Sequence, residues 1–133
     1  MSAVLDMKRS DFNTSVTFVQ PLVGFGGYSD FALEPLDESG VLFSLSAVHE
    51  TGPHMFLLDP APFFPQYVPV ADASVADILG TDTPRVLVIV TPGSDASEHT
   101  ANLLAPVLVN PETGAAMQAV LEDDSWPLRA PFN

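Results

Sequence analysis

The chain has 133 residues, with 17 acidic and 4 basic side chains, 13 prolines and no cysteine. At 47% hydrophobic residues it is too apolar for a disordered chain, so the net charge of −13 belongs to a folded acidic domain, read as one unit over 1–133. The bases Lys8, Arg9, Arg85 and Arg129 are too few and too scattered to neutralise a phosphate track, which excludes direct nucleic-acid binding, disfavours an anionic membrane surface and favours a basic protein partner.

Without cysteine there is no disulfide and no thiolate metal site, so folding needs no oxidising compartment. Asp6 closely follows the opening Met1–Leu5, which leaves no stretch of signal-peptide length. The longest apolar runs, Val86–Val90 and Leu103–Val109, fall far short of the ~20 residues of a spanning helix. The expectation is a cytoplasmic monomer with no cofactor, no metal and no membrane association.

In chain order, Val16–Val19 reads as a short β-branched strand. Phe31 and Leu33 start a second, and Val41–Val48 a third, in which Phe43, Leu45 and Ala47 alternate with Ser44 and Ser46. That period of two suits a half-buried strand. The segment Glu34–Gly40 between them predicts a hairpin turn. Met55–Leu58 is a further strand. The segment Asp59–Pro69 holds four prolines together with Phe63, Phe64 and Tyr67; it is expected to run extended over the surface, pinned by its rings.

One helix is expected, capped by Ser74 with Asp77 three residues on, presenting Val75, Ile78 and Leu79 and ending at Gly80. Arg85–Thr91 is nearly all apolar and reads as a strand buried on both faces. Thr100–Asn110 and Ala115–Leu121 read as two strands joined by the turn Asn110–Gly114. Pro106 calls for an edge or a bulge, because proline cannot donate to a ladder. The pattern is a mainly β fold: an antiparallel barrel-like domain with one or two short helices.

No catalytic constellation emerges. His49 and His54 are five residues apart with Gly52 and Pro53 between them, unlike the helical i, i+4 pair of a zinc protease. Gly24–Gly27 lacks the lysine and helix of a phosphate loop. Glu122–Asp124 lacks the spaced ligands of a calcium loop, and no Gly-x-Ser-x-Gly is present. These residues describe an acidic all-β protein-binding module for a basic or amphipathic partner.

Several blocks, taken in order, resemble the flagellar assembly factor FliW family. Phe18, Gly24, Phe25 and Phe31 follow its opening pattern of aromatic residues around a glycine turn. Phe56, Asp59, Pro60, Phe63, Phe64, Pro65 and Tyr67 stand at its Asp-Pro and Phe-Phe-x-x-Tyr positions. Asn102–Pro106 matches its Asn-Leu-x-Ala-Pro strand, Gln118 its later glutamine, and Trp126–Arg129 its aromatic-Pro-Leu-Arg close. Pro21 and Trp126 depart from the residues usual there. The resemblance implies a non-enzymatic partner switch. Such a protein binds flagellin in the cytoplasm and, once released, binds and antagonises the translational repressor CsrA, coupling flagellin synthesis to export. The alternative is the same fold serving another basic or amphipathic partner.

The residues proposed to meet partners are Phe63, Phe64 and Tyr67, with Gly24, Phe25 and Tyr28 as a second patch, and Asn102 and Arg129. A stiff proline-rich segment presents its rings at little entropic cost. Asn102 also has the chemistry to satisfy bulged backbone near Pro106.

Overall fold

The computed structural model describes residues 14–20, 29–36, 40–48, 52, 54–67, 73–81, 83–93, 98–121 and 125–132. Its strands are β1 (Thr14–Phe18), β2 (Asp30–Pro35), β3 (Leu42–Ala47), β4 (His54–Leu58), β5 (Arg85–Thr91), β6 (Thr100–Ala101), β7 (Val107–Val109), β8 (Ala115–Gln118) and β9 (Ala130–Pro131). One helix, α1 (Ala73–Leu79), lies between β4 and β5.

The order β4-β3-β2-β1-β8-β7-β5, with β5 returning to β4, closes seven strands into a barrel. The hairpin expected between β2 and β3 is present, in the register Phe31↔Ala47, Leu33↔Leu45, and Gly40 turns it at φ 73°. Six neighbouring pairs in the ring are antiparallel. The seventh, β1 with β8, is parallel, and parity requires it: directions cannot alternate all the way round a closed ring with an odd number of strands. Gly114 makes this seam possible. It sits at φ +81°, its carbonyl accepts the Thr17 N–H at 2.9 Å, and a Cβ there would lie 2.6 Å from the Ser15 carbonyl oxygen.

Alternate side chains fill the barrel. Phe18 and Phe31 meet edge to face at 5.3 Å, and Phe43, Leu45, Leu57, Leu87 and Val107 close round them, each at most 1% exposed. At one end the Arg85 guanidinium lies 4.8 Å above the Phe43 ring, a cation–π contact within the barrel. As expected, β5 is buried on both faces, Leu87 inside and Val88 and Val90 outside.

Two layers cover the outside. Helix α1 packs Leu79 on Leu108 and Met117 of the β7–β8 hairpin. The helix starts at Ala73, so Ser74 lies inside its first turn, and Gly80 at φ 80° ends it. Ile78 was expected on the packed face but is exposed, because the buried stripe is the i, i+4 pair Val75 and Leu79. Asn110 joins helix to hairpin: its Nδ2 donates to the Leu79 carbonyl and its Oδ1 accepts the Glu112 N–H, both at 2.9 Å.

The second layer is the 59–67 segment with residues 125–132, laid over the outer face of β4 and β5. It is not extended. The Asp59 carboxylate accepts the Ala61 N–H at 3.0 Å, and the Pro60 carbonyl takes both the Phe63 and Phe64 N–H groups. An Asx turn followed by proline's fixed φ folds the segment into consecutive turns.

Candidate functional site

The stretch Thr100–Asn110, expected as one strand, is two collinear pieces along β5. β6 pairs at Val90↔Ala101 and β7 at Leu87↔Val107, and residues 103–106 bulge between them. Pro106 has no N–H for the ladder, so the chain leaves the sheet there.

Every backbone polar group of that bulge has a partner. The Leu103 N–H donates to the Pro127 carbonyl at 3.0 Å, and the Leu103 carbonyl accepts the Tyr67 hydroxyl at 2.6 Å. Asn102 Oδ1 accepts the N–H groups of Leu104 at 3.1 Å and Ala105 at 3.0 Å. The Leu104 carbonyl accepts the Leu121 N–H at 2.8 Å and the Pro106 carbonyl the Ala119 N–H at 3.0 Å. Gln118 Nε2 donates to the Ala105 carbonyl at 3.1 Å. Orphaned backbone groups in a buried wall are costly, and Asn102, Gln118 and Tyr67 remove three sets of them.

The structure therefore places the proposed contact residues in different situations. Tyr67 is buried, with its ring 4.8 Å edge-on to Trp126, and burial pushes its phenol well above the ordinary tyrosine value. Asn102 is half-buried, with its carbonyl oxygen engaged inside the chain. Arg129 is exposed, one residue before β9. Gly24, Phe25 and Tyr28 lie outside the described residues, as does His49. His54 opens β4, exposed and 5.3 Å edge-on to Phe56.

Phe63 and Phe64 are half-buried, and both meet Phe132 edge-on, at 5.3 and 6.4 Å. Beside them opens a cleft of about 470 Å³. Its floor is the outward face of the barrel, with Val41 leading into β3, Leu42 at the start of β3, Phe56 and Leu58 on β4, and Val90 on β5; Phe63, Phe132, Pro92 and His99 complete it. Among the described residues, the only polar side chain in that lining is His99, whose Nδ1 accepts the Gly93 N–H at 2.9 Å. Its neutral ring therefore carries the proton on Nε2. The sequence pattern singles out neither His99 nor Phe132, and it marks Phe56 as a strand residue without saying that its ring faces outward. A signal was present, since Met55–Leu58 has no polar residue to mark a solvent-facing side.

These features define a class: a small closed β-barrel with a parallel seam, a fully satisfied bulge in its wall and an apolar cleft on its outer face. The family described as FliW protein matches residues 3–132, and the chain belongs to that family. The flagellar assembly factor FliW of Syntrophotalea carbinolica is 38% identical over 125 residues, covering 92% of this chain and 89% of that protein. The Bacillus subtilis protein of the same name is 31% identical over 120 residues, covering 88% and 84%. A crystal structure of the flagellar assembly factor FliW superposes with a TM-score of 0.81 at 24% identity, covering 88% of this chain and 84% of that one, a likeness of fold. Among the described residues no helix is long and apolar enough to cross a membrane.

Proposed function

We propose that this chain is a non-enzymatic flagellar assembly factor. It binds flagellin in the cytoplasm and, when export frees it, binds CsrA and relieves repression of flagellin synthesis. Membership of the FliW family across 3–132 carries this reading. The charge supports it independently. A translational repressor must present a basic surface to RNA, and a partner with a net charge of −13 is steered towards it. The protein would thus influence RNA without touching it.

The residues follow the same logic. Asn102, Gln118 and Tyr67 are engaged in the bulge, whereas Phe63 and Phe64 keep part of their rings at the surface. We assign partner contact to Phe63 and Phe64, with Arg129 and the segment holding Gly24, Phe25 and Tyr28 as further contacts. The experiment is co-purification of the tagged chain with flagellin, and separately with CsrA, from the same cell. Recovery of both supports the switch. Recovery of neither, with another basic protein captured instead, moves the chain to the alternative of an acidic binding module with a different partner.

A further inference from the structure

We infer that the cleft beside Phe63 receives an apolar anchor from a cationic amphipathic segment of a partner protein, with His99 Nε2–H as a polar contact. The inference rests on the reading of the chain as a protein-binding factor and names the surface and chemistry of that binding.

Size and lining come first. At about 470 Å³ the cleft lies within the range of roughly 300–1,000 Å³ that binding pockets occupy. Its floor of Leu42, Phe56, Leu58 and Val90 is apolar, on the outer face of a barrel whose own core is already filled from inside. An open apolar face of this kind gains free energy when a partner covers it. The walls, Phe63 and Phe132, are held by ring contacts outside the barrel ladder, so they can adjust to a side chain without breaking strand pairing.

Charge decides the kind of partner. The chain carries 17 acids against 4 bases, and among the described residues no Lys or Arg lines the cleft. In the sequence, carboxylates adjoin two lining residues: Asp59 follows Leu58, and the exposed Glu98 precedes His99. Lysines or arginines beside the anchor meet a favourable potential there, and an acidic segment meets a repulsive one. His99 sets the polar detail. With Nδ1 occupied by Gly93, the neutral ring offers a donor, so the anchor must bring an acceptor. A backbone carbonyl, hydroxyl or side-chain amide suits this; a carboxylate conflicts with the surrounding charge.

The probe is a labelled synthetic peptide of Leu and Lys at helical spacing, titrated with the full chain and followed by fluorescence anisotropy. Saturable binding is expected, and none for the same peptide with Glu in place of Lys. Leu42→Asp makes the rim more acidic while removing part of the apolar floor. Binding by charge alone would strengthen, whereas an anchor in the cleft predicts roughly tenfold or greater weakening, the loss of one buried leucine contact. Phe63→Ser should weaken binding likewise, with thermal melts confirming that each variant folds. Amide and His99 imidazole NMR shifts of the unaltered chain give a readout that needs no variant. Perturbations centred on Leu42, Phe63, His99 and Phe132 support the cleft. Perturbations elsewhere, unchanged or tighter binding by the folded variants, or no binding of the Leu–Lys peptide each overturn it. Purified flagellin separates the two levels. Equal capture by the unaltered chain and a folded Leu42→Asp variant keeps the proposed function and removes the cleft. Peptide binding at the cleft without flagellin capture does the reverse.

Discussion

The Tyr67 hydroxyl donates to the Leu103 carbonyl at 2.6 Å across 36 positions of sequence. One hydrogen bond thus ties the proline-rich segment to the bulge in the barrel wall. It turns the tyrosine of a surface segment into a structural anchor and leaves the neighbouring phenylalanines half-buried.

Tyr67→Phe keeps the ring against Trp126 and removes only the donor, leaving the Leu103 carbonyl orphaned. The expected loss is about 1–3 kcal/mol, read from the denaturant midpoint. Tyr67→Ser, which also removes the buried ring, is expected to cost more than Phe64→Ser, whose ring is half-buried. Equal losses in these two variants would place Phe64 as deep in the structure as Tyr67.

Burial raises the Tyr67 phenol above its ordinary value. The neutral form is thus favoured in the folded state. The stabilisation is complete below the free phenol value of about 10 and is lost as pH climbs through the folded value. Alkaline titration followed by tyrosinate absorbance should show one of the two tyrosines ionising late and together with unfolding. Removal of that late step in Tyr67→Phe assigns it.

Asn102 accepts two N–H groups through one oxygen. Asn102→Ala orphans both, with an expected cost of about 2–4 kcal/mol. Asn102→Asp keeps an acceptor and should be nearly as stable as the unaltered chain at neutral pH. Its carboxylate, stabilised by the two donors, holds a depressed pKa, so that variant should lose stability as pH falls through the folded value. Melting curves across acid pH test this. A stable Asn102→Ala variant would return the residue to partner contact.

Gly114→Ala tests the parallel seam. The backbone at φ +81° costs an alanine about 1–2 kcal/mol, and its Cβ would stand 2.6 Å from the Ser15 carbonyl oxygen, forcing β1 away from β8. A clear drop in melting temperature is expected, larger than for Gly40→Ala, where φ is similar but the seam is not involved.

Under the proposed function, the acidic charge lowers the potential that RNA phosphates feel once CsrA is bound. Long-range repulsion is screened beyond about 8 Å at physiological ionic strength. Relief of repression should therefore fade with added salt faster than the protein–protein contact does. RNA retention assays beside binding assays over a salt series measure both, and parallel declines would argue for a purely structural effect on CsrA.

Much of the architecture was legible from local pattern. The alternation of Phe43, Leu45 and Ala47 placed β3 and its inward face, the run Val86–Val90 announced a strand buried on both sides, and the glycine turns at Gly40 and Gly114 fell where hairpins needed positive φ. Pro106 alone signalled a break in its strand. The folded turns of 59–67 were not legible, because proline fixes φ without saying whether the next residues continue or reverse the chain.

The composition by itself determined an acidic, cysteine-free folded domain whose charge disfavours nucleic acid, since charge and hydrophobic fraction act through sums over residues that need no coordinates. Which motif residues serve the fold and which face outward was decided only in three dimensions. The 4 bases and 17 acids set the sign of a partner, but the apolar cleft between Leu42, Phe63, His99 and Phe132 joins positions up to 90 residues apart. Tyr67 looks like a surface contact in a linear motif, and it joins Asn102, whose amide already suited a bulge near Pro106, as an internal partner because closing the barrel left a bulge whose buried backbone groups had to be satisfied.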